Sequence, residues 1–127
     1  NDGNGSDAGH VRVYQYTSPN WTQLGLDIDG EAASDLSGHS VSLSSDGTIV
    51  AIGAFANDGN GSDAGHVRVY QNFSGTWTQL GGDIDGENAN DWSGNSVSLS
   101  SDGTIVAIGA NNNDGTASNA GHVRVYE

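Results

Sequence analysis

Oxygen-bearing side chains at alternate positions of a glycine-rich run are the first chemistry the sequence offers. Asp58, Asn60, Ser62 and Asp63 stand in Asp-Gly-Asn-Gly-Ser-Asp, a run also present from Asp2 to Asp7, and such spacing is how a calcium loop begins. The bidentate Glu that closes such a loop is missing, and a third copy reads Asp114, Thr116, Ser118, Asn119. The preferred expectation is therefore a turn in which Asn, Asp and Ser bond their own backbone. A second acidic set, Asp27, Asp29 and Glu31, recurs as Asp83, Asp85 and Glu87. If extended, each set turns three carboxylates to one side, which suits a cation such as calcium or, more remotely, a paired-carboxylate glycosidase. Nothing adjacent would keep one carboxyl protonated, so no catalytic residue is assigned, and a solvated acidic connection is the leading alternative. Calcium is the one cofactor considered.

The remaining reactive side chains also recur. His10, His66 and His122 each precede an arginine by two places, at Arg12, Arg68 and Arg124. Each guanidinium is expected to pair with an acidic residue of a neighbouring strand or sheet, with the histidine packed beside it. Trp21, Trp77 and Trp92 suit either a sugar-stacking platform or burial between sheets. Asn4, Asn20, Asn60 and Asn72 match the N-glycosylation acceptor pattern, all in expected loops or turns. No Ser, His and Asp show the spacing of a nucleophilic triad.

Composition narrows the function classes. The 127 residues carry a formal charge of -13, with three arginines as the only Lys or Arg. Such a surface repels nucleic acid and anionic lipid. There is no cysteine, 20 residues are glycine, and no apolar run approaches the length of a membrane span. An acidic, lysine-free, Ser/Thr/Asn/Gly-rich chain fits an extracellular or cell-surface setting, with an acidic cytosolic protein as the alternative.

The elements that must position these residues come from a repeat. Gly9-His-Val-Arg-Val-Tyr14 returns at Gly65 and Gly121, a period of 56 residues, and a fixed period of that size signals a repeat architecture. Residues 1–56 and 57–112 agree at about 45 of 56 positions, the differences lying mostly in connections. Ser40 to Ala54 returns letter for letter at Ser96 to Ala110. In it Val41 and Leu43 alternate with serines as in a half-buried strand. Asp46-Gly47 predicts a two-residue turn, and Ile49 to Ile52 runs apolar without alternation, as in a strand covered on both faces. Writing A for 39–45, B for 48–54, C for 66–71 and D for 77–80 makes each period four antiparallel strands, the pattern of a β-propeller blade. The chain then divides into a C-D partial blade with its connection (1–37), a complete blade with its connection (38–93) and an A-B-C partial blade (94–127). Two repeats and one extra strand are too few for a ring, so completion by other chains or by more of the same polypeptide is expected.

Three spaced motifs carry a family resemblance over essentially the whole chain. Leu36-Ser-Gly-His-Ser-Val41 and Trp92-Ser-Gly-Asn-Ser-Val97, Ile52-Gly-Ala54 and Ile108-Gly-Ala110, and Gly65-His-Val-Arg-Val-Tyr70 resemble successive parts of the FG-GAP repeat of integrin-α-like β-propellers, in its bacterial and marine form. The family's Gly-Ala-Pro is departed from at Phe55 and Asn111. Its calcium loop between strands A and B is shortened to Ser45-Asp-Gly-Thr48, so the resemblance implies no calcium there. The function expected is a non-enzymatic extracellular structural or adhesive repeat presenting loops to glycans or surface proteins. Two alternatives stand beside it: the protomer of a ring or head-to-tail filament, and a lectin-like carbohydrate-binding propeller.

Overall fold

The computed structural model describes residues 1–127. Its strands are β1 (His10–Val11), β2 (Tyr14–Thr17), β3 (Asn20–Gln23), β4 (Ile28–Asp29), β5 (Ser40–Leu43), β6 (Ile49–Ala54), β7 (His66–Phe73), β8 (Thr76–Gln79), β9 (Ile84–Asp85), β10 (Ser93–Leu99), β11 (Val106–Ala110) and β12 (His122–Tyr126), with no helix. The middle blade is the antiparallel sheet β5-β6-β7-β8, to which β9 adds by pairing with the start of β7. The first blade consists of the pairs β1-β4 and β2-β3, and the third of β10-β11-β12. The chain is all-β, an incomplete propeller of stacked antiparallel blades.

The unalternating run in β6 is explained by its place in that stack. Val50 and Ile52 point towards the first blade and pack on Val11, Val13 and Ile28. Ala51 points the other way, to Val67, Val106 and Ile108. Both faces of β6 are thus dry, and burying each valine or isoleucine contributes about 1.5–3 kcal/mol. Glycine at the blade junctions lets backbones meet. Gly65 has a φ of 74°, and a Cβ there would fall on the carbonyl oxygen of Ser93, at the start of β10 in the third blade.

Three local expectations change. The turn between β5 and β6 is longer than two residues, because the Asp46 side chain organises it: Oδ1 accepts from Ser44 Oγ, Thr48 N and Thr48 Oγ1. Only Gly47, not Asp46, takes a positive φ there. The connections after β3 and β8 are not wholly irregular, since Ile28–Asp29 and Ile84–Asp85 form short strands against the starts of β1 and β7. Asn20 and Asn72 stand in strands, at the start of β3 and inside β7, rather than in loops.

Candidate functional site

The polar chemistry gathers where the strands that begin His-Val-Arg meet the connections. Register places Asp85 opposite His66 and Asp29 opposite His10. Just before β9, Asp83 faces Arg68, which holds it with both Nε (2.8 Å) and Nη2 (2.7 Å). Gln79 donates to the same carboxylate at 2.7 Å. Nη2 of Arg68 also donates to Glu31 at 2.6 Å, from the connection of the preceding blade. The first blade repeats the arrangement with Arg12, Asp27 and Gln23, and the third pairs Arg124 with Glu87. The Arg68–Asp83 and Arg12–Asp27 pairs are forked, charge-assisted bonds that favour the ionised acid. The Arg68 guanidinium holds Asp83 down to about 2, and Arg12 with Gln23 does the same for Asp27, also to about 2.

His66 lies beneath this network with its side chain 4% exposed. Its Nδ1 has no hydrogen-bond partner and sits 3.8 Å from Asp83 Oδ2. Burial, and next the nearby Arg68 charge, push its pKa down, so the ring is neutral at pH 7. The acidic trio of the sequence is divided by this geometry. Asp27 and Asp29 offer oxygens within 4.8 Å of a His10 nitrogen, whereas Glu31 joins His66 and Asp83 across the blade boundary. Both groups have the donor set of a cation site, although in the second every carboxylate also serves Arg68. In the following connection Asp83 pairs with Arg68, Asp85 is exposed on β9 and Glu87 reaches Arg124.

The glycine-rich loops behave as clamps. Asp58 Oδ1 accepts the backbone N–H of Asp63 at 2.8 Å, and the Asn60 amide donates to the carbonyls of Gly86 (2.7 Å) and Glu87 (3.2 Å). The carbonyl of Ser62 accepts from Asn90 at 2.8 Å. Beneath the loop, buried Asn57 donates to buried Asp35 at 3.0 Å, and Asn113 repeats this with Asp91 at 2.8 Å. Sequence reasoning did not single out these four residues, although their common offset of 22 was visible within the repeat.

The remaining candidates scatter. Trp77 lies half-buried between blades with Nε1 donating to the Leu24 carbonyl at 2.7 Å. Trp21 is 67% exposed and lies tilted against Tyr16, and Trp92 packs edge-on against Phe55. Among the glycosylation candidates the Asn4 and Asn60 amides are bonded to backbone carbonyls, the Asn72 amide is buried and Asn20 is exposed.

The FG-GAP repeat pattern matches residues 27–70 and 84–126, together more than half of the chain. The chain belongs to the FG-GAP repeat family. No curated protein matches it. Each FG-GAP match begins in a connection and ends at the tyrosine of a His-Val-Arg-Val-Tyr strand, so the family unit takes in Glu31 with Arg68 in the first match and Glu87 with Arg124 in the second. The chain is a β-propeller-type repeat protein. FG-GAP repeats are generally non-enzymatic and typically stand in extracellular domains. No helix here is long and apolar enough to cross a membrane.

Proposed function

We propose that this chain is a non-enzymatic, extracellular structural or adhesive repeat whose rigid blades present the same acidic, hydroxyl-rich loop at regular intervals. The observation that carries the reading is the identical fastening of that loop. Asp2, Asp58 and Asp114 each accept the backbone N–H five residues on, at 2.9, 2.8 and 2.6 Å, and two of the loops are riveted by the Asn57–Asp35 and Asn113–Asp91 bonds. Similarly fastened loops at fixed spacing favour a partner that is itself repetitive, such as a glycan or a surface protein, because each further contact is made at high effective concentration. Glycan-array and surface-protein binding of the chain, with and without chelator, tests this. Multivalent retention is expected, and turnover of a sugar or ester substrate with no retained ligand would overturn it.

A second reading, assembly of copies into a ring or head-to-tail filament, is favoured by the apolar side chains at the two ends of the stack. Val123 and Val125 are 67% and 66% exposed at one end, with Tyr14, Tyr16 and Trp21 open at the other. Particle mass by light scattering, with negative-stain imaging, tests it; a strict monomer overturns it.

A further inference from the structure

Of the four histidines only His66 is buried. Its side chain is 4% exposed, and Nδ1 has no hydrogen-bond partner. A polar nitrogen taken out of water unpaired costs free energy, so a ligand that takes its lone pair relieves that cost. The nitrogen looks towards two carboxylates. Asp83, just before β9, and Glu31, from the connection of the preceding blade, each offer an oxygen within 4.8 Å of a His66 ring nitrogen and of each other. Nδ1 stands 3.8 Å from Asp83 Oδ2. That is too long for a hydrogen bond, yet one ion with bonds of ~2.0–2.2 Å to imidazole nitrogen and carboxylate oxygen can bridge it.

Arg68 holds both acids without exhausting them. Its Nη2 donates to Glu31 Oε2 and to Asp83 Oδ2, and a carboxylate oxygen can accept a second partner. The guanidinium is therefore placed as the outer partner that orients ligating carboxylates around a metal. Two carboxylates against one guanidinium also leave negative charge in excess beside the imidazole. The donor set selects the ion. Calcium takes oxygen ligands, whereas an imidazole nitrogen with carboxylate oxygens suits zinc and its first-row neighbours. The approach of histidine to glutamate recurs at the next blade boundary, where His122 Nδ1 lies 3.7 Å from Glu87 Oε2, so the repeat itself builds it.

We propose that Glu31, His66 and Asp83 form a site for a divalent first-row transition ion such as Zn²⁺, which ties the connection of the first blade to the second. The site goes beyond the adhesive and assembly readings and depends on neither. Its ligands are far apart in sequence and meet only when the blades stack. The ion therefore binds the stacked chain far better than the unfolded one, and raises its stability as the metal concentration rises.

The test titrates Zn²⁺ alone into the chelator-treated 127-residue chain, read by calorimetry, by NMR of the histidine ring nitrogens and by urea unfolding. Saturable binding is expected, with the His66 ring signals shifted and the unfolding midpoint raised. Glu31→Gln, at a side chain 51% exposed, should weaken Zn²⁺ binding roughly tenfold or more while leaving the metal-free midpoint nearly unchanged. His66→Gln should remove the rise in midpoint; if that variant does not fold, Glu31→Gln decides. Excess Ca²⁺ should not displace Zn²⁺. Absence of saturable binding overturns the site, as does binding indifferent to Glu31→Gln, a shift confined to His10, His39 or His122, or ready displacement by Ca²⁺. Binding at His66 that leaves the midpoint unmoved overturns the tie between blades. Zn²⁺ binding seen only with an increase in particle mass places the ion between copies and overturns it equally.

Discussion

Arg68 joins neighbouring blades through two carboxylates, and the consequences are set by proton affinity. Asp83 titrates at about 2 in the folded chain against about 4 when unfolded. Its contribution is therefore complete above about pH 4 and is lost as pH falls towards 2. His66 works in the same direction from a different window. Its depressed pKa means that the unfolded chain takes up the proton first, so stability declines as pH drops below ~6.5. Urea unfolding across pH should show both declines, with Asp83→Asn removing part of the lower one, to which Asp27 also contributes, and His66→Gln flattening the upper one. Asp35, 3% exposed, accepts from Asn57 and from the backbone of Ala32. Asp35→Ala leaves both donors without a partner and should cost about 1–3 kcal/mol in the same assay. At the sequons, Asn20 alone combines exposure with an amide free of backbone contacts. In a glycosylating host, mass spectrometry of proteolytic peptides should find glycan at Asn20 and not at Asn4, Asn60 or Asn72.

Among the elements, the glycines divide by what surrounds them. Gly65 and Gly81 share a positive φ, 74° and 69°, but a Cβ on Gly65 would meet a carbonyl oxygen and one on Gly81 meets nothing within 4 Å. Gly81→Ala should cost only the left-handed strain, about 1–2 kcal/mol. Gly65→Ala must also push neighbouring blades apart and should cost upwards of ~3 kcal/mol, or prevent folding; paired denaturation curves distinguish them. Strands β5 and β6 were readable because their patterns are statements about faces, alternating in Val41 and Leu43 and continuous from Ile49 to Ile52. The two-residue strand β9 was not, since Ile84 and Asp85 are too few to show a period and pair only because β7 is there to receive them. The arginine pairs were readable from scarcity, three guanidiniums among 16 acids. The Asn57–Asp35 bond was hidden, because it depends on how one blade seats against the next.

For the whole molecule, stability resides in the interfaces between blades rather than inside any one of them. Ala51 is fully buried between Val67, Val106 and Ile108, where no larger side chain fits without separating the sheets. Ala51→Leu should destabilise by about 1–3 kcal/mol, and hydrogen exchange should show the loss in β7 and β11 together. The two hairpins that match letter for letter carry a hazard of their own. Locally they are interchangeable, so a growing chain receives no signal from them about which came first. That information resides in the few positions where the copies diverge. Phe55 meets His39 with ring centres 4.5 Å apart and Trp92 at 5.9 Å, while the counterparts of Phe55 and His39 one unit later are Asn111 and Asn95. These aromatics act as a keyed joint that only the correct order of assembly can close, and a swapped order would leave bulky rings facing amides.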